Sequence, residues 1–301
     1  MRLAVLADIH SNYIALERCM EYLSERGIEN FLFLGDYVGE MAYPERTMKL
    51  LYDYRERYKC IFIRGNKEGY WIKYRVDGAT GWREYDSTTG VLWYAYHHLA
   101  DGDIDFFENM PIARKLQFGS LPPLTACHGS PASEREAMQP GEKRTEEILE
   151  QAETDLILCA HTHKQGKFTH RGKTMLNPGS VGHSLGAEGK SQFLILHGEE
   201  GKGECGRSGR DTICGGWKEE FIALDYDREE AIRQLAESGL AERAPYWCKI
   251  TEYSLRGGSE KIHHAKVLER VMKLCEEDTG KCNWPDISEK YWEMAIKEFF
   301  P

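Results

Sequence analysis

No stretch of this chain approaches the ~18 consecutive apolar residues that a membrane-spanning helix requires. Its first apolar run covers only residues 3–7 and leads straight into Asp8, a layout unlike a signal peptide. The nine cysteines form no C-x-x-C pair, and Cys60, Cys127 and Cys159 lie in apolar runs, where cysteine behaves as a small hydrophobe. That usage argues against a disulfide framework and for a reducing, cytoplasmic setting. Positive charge is scarce: 39 Lys and Arg face 49 Asp and Glu, a formal net charge of -10. Phosphate backbones are held mainly by Lys and Arg, so stable nucleic-acid binding is not expected, and neither is a membrane surface. The glycine-rich stretch 198–216 lacks a G-K-[ST] and reads as a mobile loop rather than a nucleotide cradle. Cys205 and Cys214 within it have no identifiable partners for zinc. Internal repeats and low-complexity segments are absent too.

What the chain does have is a 301-residue globular composition, 41% hydrophobic, enough for one large α/β domain with an appendage. Its apolar runs stop abruptly at polar residues. The run at 3–7 ends in Asp8-Ile9-His10, and Ser11 or Asn12 can cap a helix with Ala15, Leu16, Cys19, Met20 and Leu23 on one face and Gly27 at its end. A run at 31–34 stops at Gly35-Asp36, a helix opens near Pro44, and a run at 60–63 stops at Arg64-Gly65-Asn66-Lys67-Glu68. This is a βαβαβ pattern with a parallel sheet, and ligands bind such sheets at the carboxyl ends of the strands. Residues 69–118 read as helical and aromatic-rich. Further strands at 124–127 and 155–160 end in His128-Gly129 and His161-Thr162-His163, and a hairpin follows that turns at Arg171-Gly172. The loop Asn177-Pro178-Gly179-Ser180-Val181-Gly182 offers backbone N–H groups to an anion. Strands at 192–197 and 220–226 precede helices at 231–235, 263–275 and 288–299.

Five strand ends thus supply Asp8, His10, Asp36, Asn66, His128, His161 and His163. Each alone has an ordinary structural explanation; together, at one sheet edge, they predict a metal site. The donors are oxygen and imidazole without thiolate, which suits Mn, Fe or Zn. Seven donors are too many for one ion, whereas two divalent transition-metal ions sharing a carboxylate would use them all.

These motifs, D-x-H at 8–10, G-D at 35–36, G-N at 65–66, His128-Gly129 and H-x-H at 161–163, resemble the ordered set of the calcineurin-like metallophosphoesterases. The Asn-Pro-Gly-Ser-Val run resembles that family's small bacterial and archaeal phosphodiesterase branch. The resemblance covers residues 1–182 and implies an α/β (or α+β) fold, a four-layer β-sandwich flanked by helices. It implies a catalytic domain at 1–230, including the helical insertion at 69–118, with a helical extension at 231–301 as a lid or a surface for self-association. It further implies that Asp8, His10, Asp36 and His163 hold one ion while Asp36, Asn66, His128 and His161 hold the other, with Asp36 bridging. The implied activity is hydrolysis of a small phosphodiester or phosphomonoester through in-line attack by a metal-bridging hydroxide, with Asp36, Asn66 and His128 at the reacting centre. Where the family has His after Gly-Asn, this chain has Lys67, read here as positive charge for the phosphate or leaving oxygen, held by Glu68. A metal-binding scaffold or sensor that lost turnover with that His is the competing reading, and protein phosphatase activity is a further one. Ala160 replaces the usual Gly before H-x-H, which matters only if that position needs a positive φ. Trp71, Lys73 and Arg75 are candidates for gating or phosphate contact, and His183 for facing the site.

Overall fold

The computed structural model describes residues 1–199 and 216–300, so the expectations for Cys205, Cys214 and the rest of 200–215 lie outside the described residues. The chain opens with β1 (Arg2–Leu6), α1 (Tyr13–Glu25), β2 (Asn30–Phe33), α2 (Pro44–Arg57) and β3 (Lys59–Phe62), as the apolar periodicity predicts. Asn12 caps α1 by accepting the Ala15 N–H at 3.1 Å, and Gly27, at φ +62°, ends the turn that follows it. Next come α3 (Asn66–Val76), α4 (Gly90–His97) and α5 (Asp101–Glu108), and then β4 (Ala113–Leu116), a strand inside the stretch expected to be helical. β4 is an edge strand with Arg114 and Lys115 exposed, and such charges protect an edge while hiding the strand's apolar signal. β5 (Leu124–Cys127), α6 (Lys143–Gln151) and β6 (Leu156–Leu158) lead to the hairpin of β7 (Gly166–His170) and β8 (Lys173–Asn177). Arg171 and Gly172 turn it at φ +48° and +83°. After β9 (Ser191–Gly198) and β10 (Trp217–Leu224) come α7 (Arg228–Glu237), α8 (Leu240–Arg243), α9 (Pro245–Leu255), α10 (His264–Thr279) and α11 (Glu289–Phe299). α8 and α9 fall in the interval between the helices expected at 231–235 and 263–275, where the sequence pattern marks no separate helix.

The strands form two five-stranded mixed sheets, ordered β10-β9-β1-β2-β3 and β4-β5-β6-β8-β7. This corrects the single sheet edge drawn from the βαβαβ pattern. β1, β2 and β3 run parallel in the first sheet, while β5, β6 and β8 run parallel in the second. Alternation along β1 builds the layers: Leu3 and Val5 face Leu124, Leu158 and Leu176 of the second sheet, while Ala4 and Leu6 face α1. On the outer side of the second sheet, Cys127, Ile157 and Met175 pack on Ile148 and Leu149 of α6. The result is a four-layer sandwich with helices on both outer faces. Among the described residues no helix is long and apolar enough to cross a membrane.

The C-terminal helices build their own cluster around Ile250, Val267, Val271 and the fully buried Trp292. Trp292 Nε1 donates to Thr88 Oγ1 at 2.9 Å, and the Ser87 hydroxyl donates to Glu289 at 2.9 Å, so this cluster is tied to the loop before α4.

The ends of β2 and β3 approach so closely that a Cβ on Gly35 or Gly65 would collide with the other loop. Glu68 clamps the junction. Its fully buried carboxylate accepts the N–H groups of Gly65 at 2.8 Å and of Asp36 and Tyr37 at 2.9 Å each. Burial and the neighbouring Asp36 push that carboxyl up to about 7, against the pull of the Tyr37 and Asp36 N–H groups and of His128. Glu68→Ala leaves three buried donors unpaired and is expected to cost about 3–5 kcal/mol, read as a lower urea midpoint at unchanged slope.

Candidate metal centre

Strand ends from both sheets meet at one cavity of about 360 Å³, lined by His10, Asp36, Asn66, His161 and His163, with Asp8 and His128 fully buried beside them. β1 delivers Asp8 and His10, β2 Asp36, β3 Asn66, β5 His128 and β6 His161 and His163. The backbone is bent sharply to do so. Asp8, His10, Ser11, Asp36, His161 and His163 all take positive φ, between 50° and 67°. Non-glycine residues rarely adopt this conformation, and its clustering at one place marks a functional site. Ala160 is not among the positive-φ residues, so its extra methyl costs nothing in backbone strain.

The donors fall into two compact groups able to hold an ion, Asp8 with His10 and His163, and Asp8 with Asp36 and His128. Asp8 Oδ1 lies 3.4 Å from His163 Nε2, 3.8 Å from His10 Nε2 and 3.9 Å from His128 Nε2. Asp36 touches both groups through different oxygens, with Oδ2 3.8 Å from His10 Nε2 and Oδ1 3.5 Å from His128 Nε2. Asn66 Oδ1 lies 3.1 Å from His128 Nε2. His161 lines the same cavity but stands off the two tight groups, its ring edge-on to His128 at 5.2 Å while its N–H donates to Asp8 Oδ2 at 3.2 Å.

The outward nitrogens of two rings are hydrogen-bonded, and that of a third faces a carboxylate. His128 Nδ1 donates to the Leu34 carbonyl and His163 Nδ1 to the His183 carbonyl, each at 2.7 Å, and His10 Nδ1 faces Glu40 Oε2 at 3.3 Å. Their Nε2 lone pairs therefore point inward, in the orientation that a metal-ligating imidazole takes when its other nitrogen is fixed. His10 Nε2 and His163 Nε2 stand only 3.0 Å apart, His128 Nε2 faces an amide oxygen and a carboxylate, and buried Asp8 Oδ1 has no hydrogen-bond donor. Acceptors face acceptors, and divalent cations resolve that arrangement. The donor set fits them. The charges act on one another as expected: burial pushes Asp8 up, but His163, His128 and His10 outweigh it and hold the carboxyl well below its usual range. Burial likewise pulls His128 and His163 down, and Asp36 and Asp8 more than restore them. His161, where burial and His128 act together, is lowered to about 4.

Lys67 does not pair with Glu68, which is committed to the backbone clamp. Its ammonium lies 2.6 Å from Glu40 Oε1, a residue not singled out in the sequence. Burial opposes both charges, yet each holds the other ionised, Glu40 far below its usual range and Lys67 above its own. Glu40 thus touches Lys67 with one oxygen and His10 with the other. Its place four residues after Asp36 was the only signal available. The loop at 177–182 is no anion cradle, because Val181 N–H and Gly182 N–H donate to the carbonyls of Ala7 and Asp8 at 2.9 and 3.0 Å. It braces Asp8 from behind.

His183 lines the cavity, as do Trp247 of α9 and His264 and Leu268 of α10, none of these helical residues anticipated. His264 Nε2 faces Thr251 Oγ1 at 3.0 Å and the Trp247 carbonyl at 3.2 Å, and its ring stacks on Trp247 at 4.4 Å. Burial lowers His264 to about 3, so it stands neutral in the roof of the cavity. Trp71, Lys73 and Arg75 play no part here. Trp71 is fully buried against Trp82, Lys73 pairs with Asp77 at 2.6 Å, and Arg75 pairs with Asp105 and Glu108 at 2.8 and 2.7 Å.

The chain is 23% identical over 259 residues to an uncharacterized protein of Methanocaldococcus jannaschii, covering 80% of this chain and 94% of that protein. Its fold is similar to that of a hypothetical protein of Pyrococcus horikoshii, with a TM-score of 0.67 and 21% identity over 86% of this chain and 99% of the other. A metallophosphoesterase of Sphaerobacter thermophilus is similar at a TM-score of 0.62 and 19% identity, with the same coverage of 86% and 99%. The sequence model of the calcineurin-like phosphoesterase superfamily domain matches residues 1–201, which span every strand-end donor described above. With these motifs in that order on two facing mixed sheets, the chain belongs to the calcineurin-like phosphoesterase superfamily.

Proposed function

We propose that this protein is a dinuclear metal-dependent phosphoesterase that hydrolyses a small phosphodiester or phosphomonoester. The observation that carries the reading is the inward convergence of His10 Nε2, His163 Nε2, His128 Nε2, Asp8 Oδ1 and Asp36 over 3.0–3.9 Å, with buried Asp8 Oδ1 lacking any hydrogen-bond donor. Asp8, His10 and His163 would hold one ion and Asp36, Asn66 and His128 the other, with Asp36 reaching both and His161 completing the second. Two such ions, when bound, supply an acidified water as the nucleophile and offset negative charge on the phosphoryl oxygens. In the net reaction water adds to phosphorus, the ester P–O bond breaks, and the alcohol leaves with a proton.

The protein's own groups prepare that step. Lys67, with its ammonium fixed by Glu40 and its side chain only 12% exposed, places positive charge on the cavity wall for a phosphoryl or leaving oxygen. Asn66 turns Oδ1 to His128, which leaves its NH₂ to donate to the substrate. Trp247, His264 and Leu268 line the cavity from the C-terminal side, which favours a small phosphorylated molecule as substrate.

Three outcomes are expected. Chelated protein titrated with Mn²⁺ should gain about 2–3 kcal/mol at a hundredfold excess over Kd, seen as a rise in Tm, and Asp36→Ala should lose that gain. Asp36→Ala should also reduce hydrolysis of an aryl phosphodiester by about 10²-fold or more; unchanged turnover would refute the assigned site. Lys67→Ala should lower turnover about tenfold to a hundredfold with Mn²⁺ stabilisation retained, whereas full turnover would show that this ammonium serves structure alone.

A further inference from the structure

A second cavity, of about 350 Å³, stands next to the strand-end cavity and has no part in the chemistry above. Tyr70, Tyr74, Trp82, Trp284 and Arg135 are prominent in its lining. The same two segments serve both cavities: α3 gives Lys67 to one and Tyr70 to the other, and the loop after β5 gives Ala137 and Gln139 to one and Arg135 to the other. Lys67 Nζ is 6.0 Å from the centre of the Tyr70 ring, so the two cavities are separated by about one turn of helix.

The lining is specialised. Tyr74 stacks on Trp82 at 3.8 Å and 7°, while Tyr70 and Trp284 face each other at 6.1 Å and 29°. The Arg135 guanidinium lies 4.6 Å over the Tyr70 ring and has no carboxylate within 4 Å among the described residues. Lys73 and Asp77 on the rim neutralise each other at 2.6 Å, which leaves Arg135 to set the sign of the cleft. Trp284 is 40% exposed, so part of its ring is open to a ligand in the cleft. Aromatic faces bind planar rings by stacking, and an unpaired guanidinium beside them favours a ligand that carries negative charge.

We propose that this cleft binds the planar ring of the substrate, an aryl or nucleoside phosphoester whose phosphate lies in the neighbouring cavity. The proposal rests on the phosphoesterase reading of that cavity, and ring binding can be measured apart from turnover. Adenosine carries no phosphate to hydrolyse. Its binding to the metal-loaded protein, followed by quenching of tryptophan fluorescence, tests the cleft directly. Adenosine should bind, adenosine 5′-monophosphate and phenyl phosphate should bind at least tenfold more tightly than glycerol phosphate, and the stronger of those two assigns the ring as base or aryl. Trp284→Ala should weaken adenosine about tenfold, while Trp284→Phe should keep most of the affinity. No binding of adenosine, or equal affinity in wild type and Trp284→Ala, would overturn the proposal. Ring binding without hydrolysis of any phosphoester would keep the ring site and overturn the reading of the neighbouring cavity instead.

Discussion

The structure depends on one electrostatic constraint, the packing of like-natured acceptors at the ends of two sheets. Two carboxylates, an amide oxygen and three imidazole lone pairs point at one another over 3.0–3.9 Å, while the backbone N–H groups of Lys67 and His161 donate to Asp36 Oδ1 and Asp8 Oδ2 at 2.8 and 3.2 Å. Removed from water, such a cluster is costly unless cations occupy it. Much of the surrounding architecture holds it in place. Six residues accept left-handed backbone conformations to aim their side chains, at about 1 kcal/mol or more apiece. The Glu68 clamp and the 177–182 brace fix the loops from behind, and the inter-sheet leucines and valines keep the two sheets in register. The fold is paid for in the core and strained at the rim.

A second chain of contacts links this centre to the C-terminal helices. Glu40 spans His10 and Lys67, and the Lys67 ammonium lies 5.8 Å from the Trp247 ring, which stacks on His264. Trp247 also meets Trp292, whose indole is bonded to Thr88. The roof is therefore held from two sides, by the cluster of α9, α10 and α11 and by the loop before α4. A cavity assembled this way takes its depth from the strand-end donors and its shape from residues far away in the chain.

That difference in distance explains what the sequence could reveal. Asp8, His10, Asp36, Asn66, His128, His161 and His163 each announce themselves locally, where an apolar run breaks off at a polar donor. The division of strands between two sheets has no such mark, because a βαβαβ unit reads the same whether the next strand joins its sheet or faces it. β4 is hidden in the sequence because Arg114 and Lys115 make an edge strand look like surface. Glu68 reads as the partner of Lys67 because the two are neighbours in sequence, yet adjacent helical positions point about 100° apart. Glu68 turns to the backbone and Lys67 to Glu40. Glu40, Trp247 and His264 reach the cavity only through tertiary packing, and no period or spacing points to them.

Lys67 is where the two cavities and the chemistry meet. An ammonium clamped by a buried carboxylate is a fixed positive charge and a poor proton donor near neutral pH. Stabilising charge on a leaving oxygen is enough when that oxygen departs readily as an anion, whereas a simple alkoxide needs a proton as it leaves. A phenolate is the former kind of leaving group, and a ring attached to the departing oxygen is what the aromatic cleft one helical turn away would accommodate. On the proposed reading, an aryl ester seated there would leave as a phenolate with little need of an acid, whereas a nucleoside ester would leave as an alkoxide and would need one.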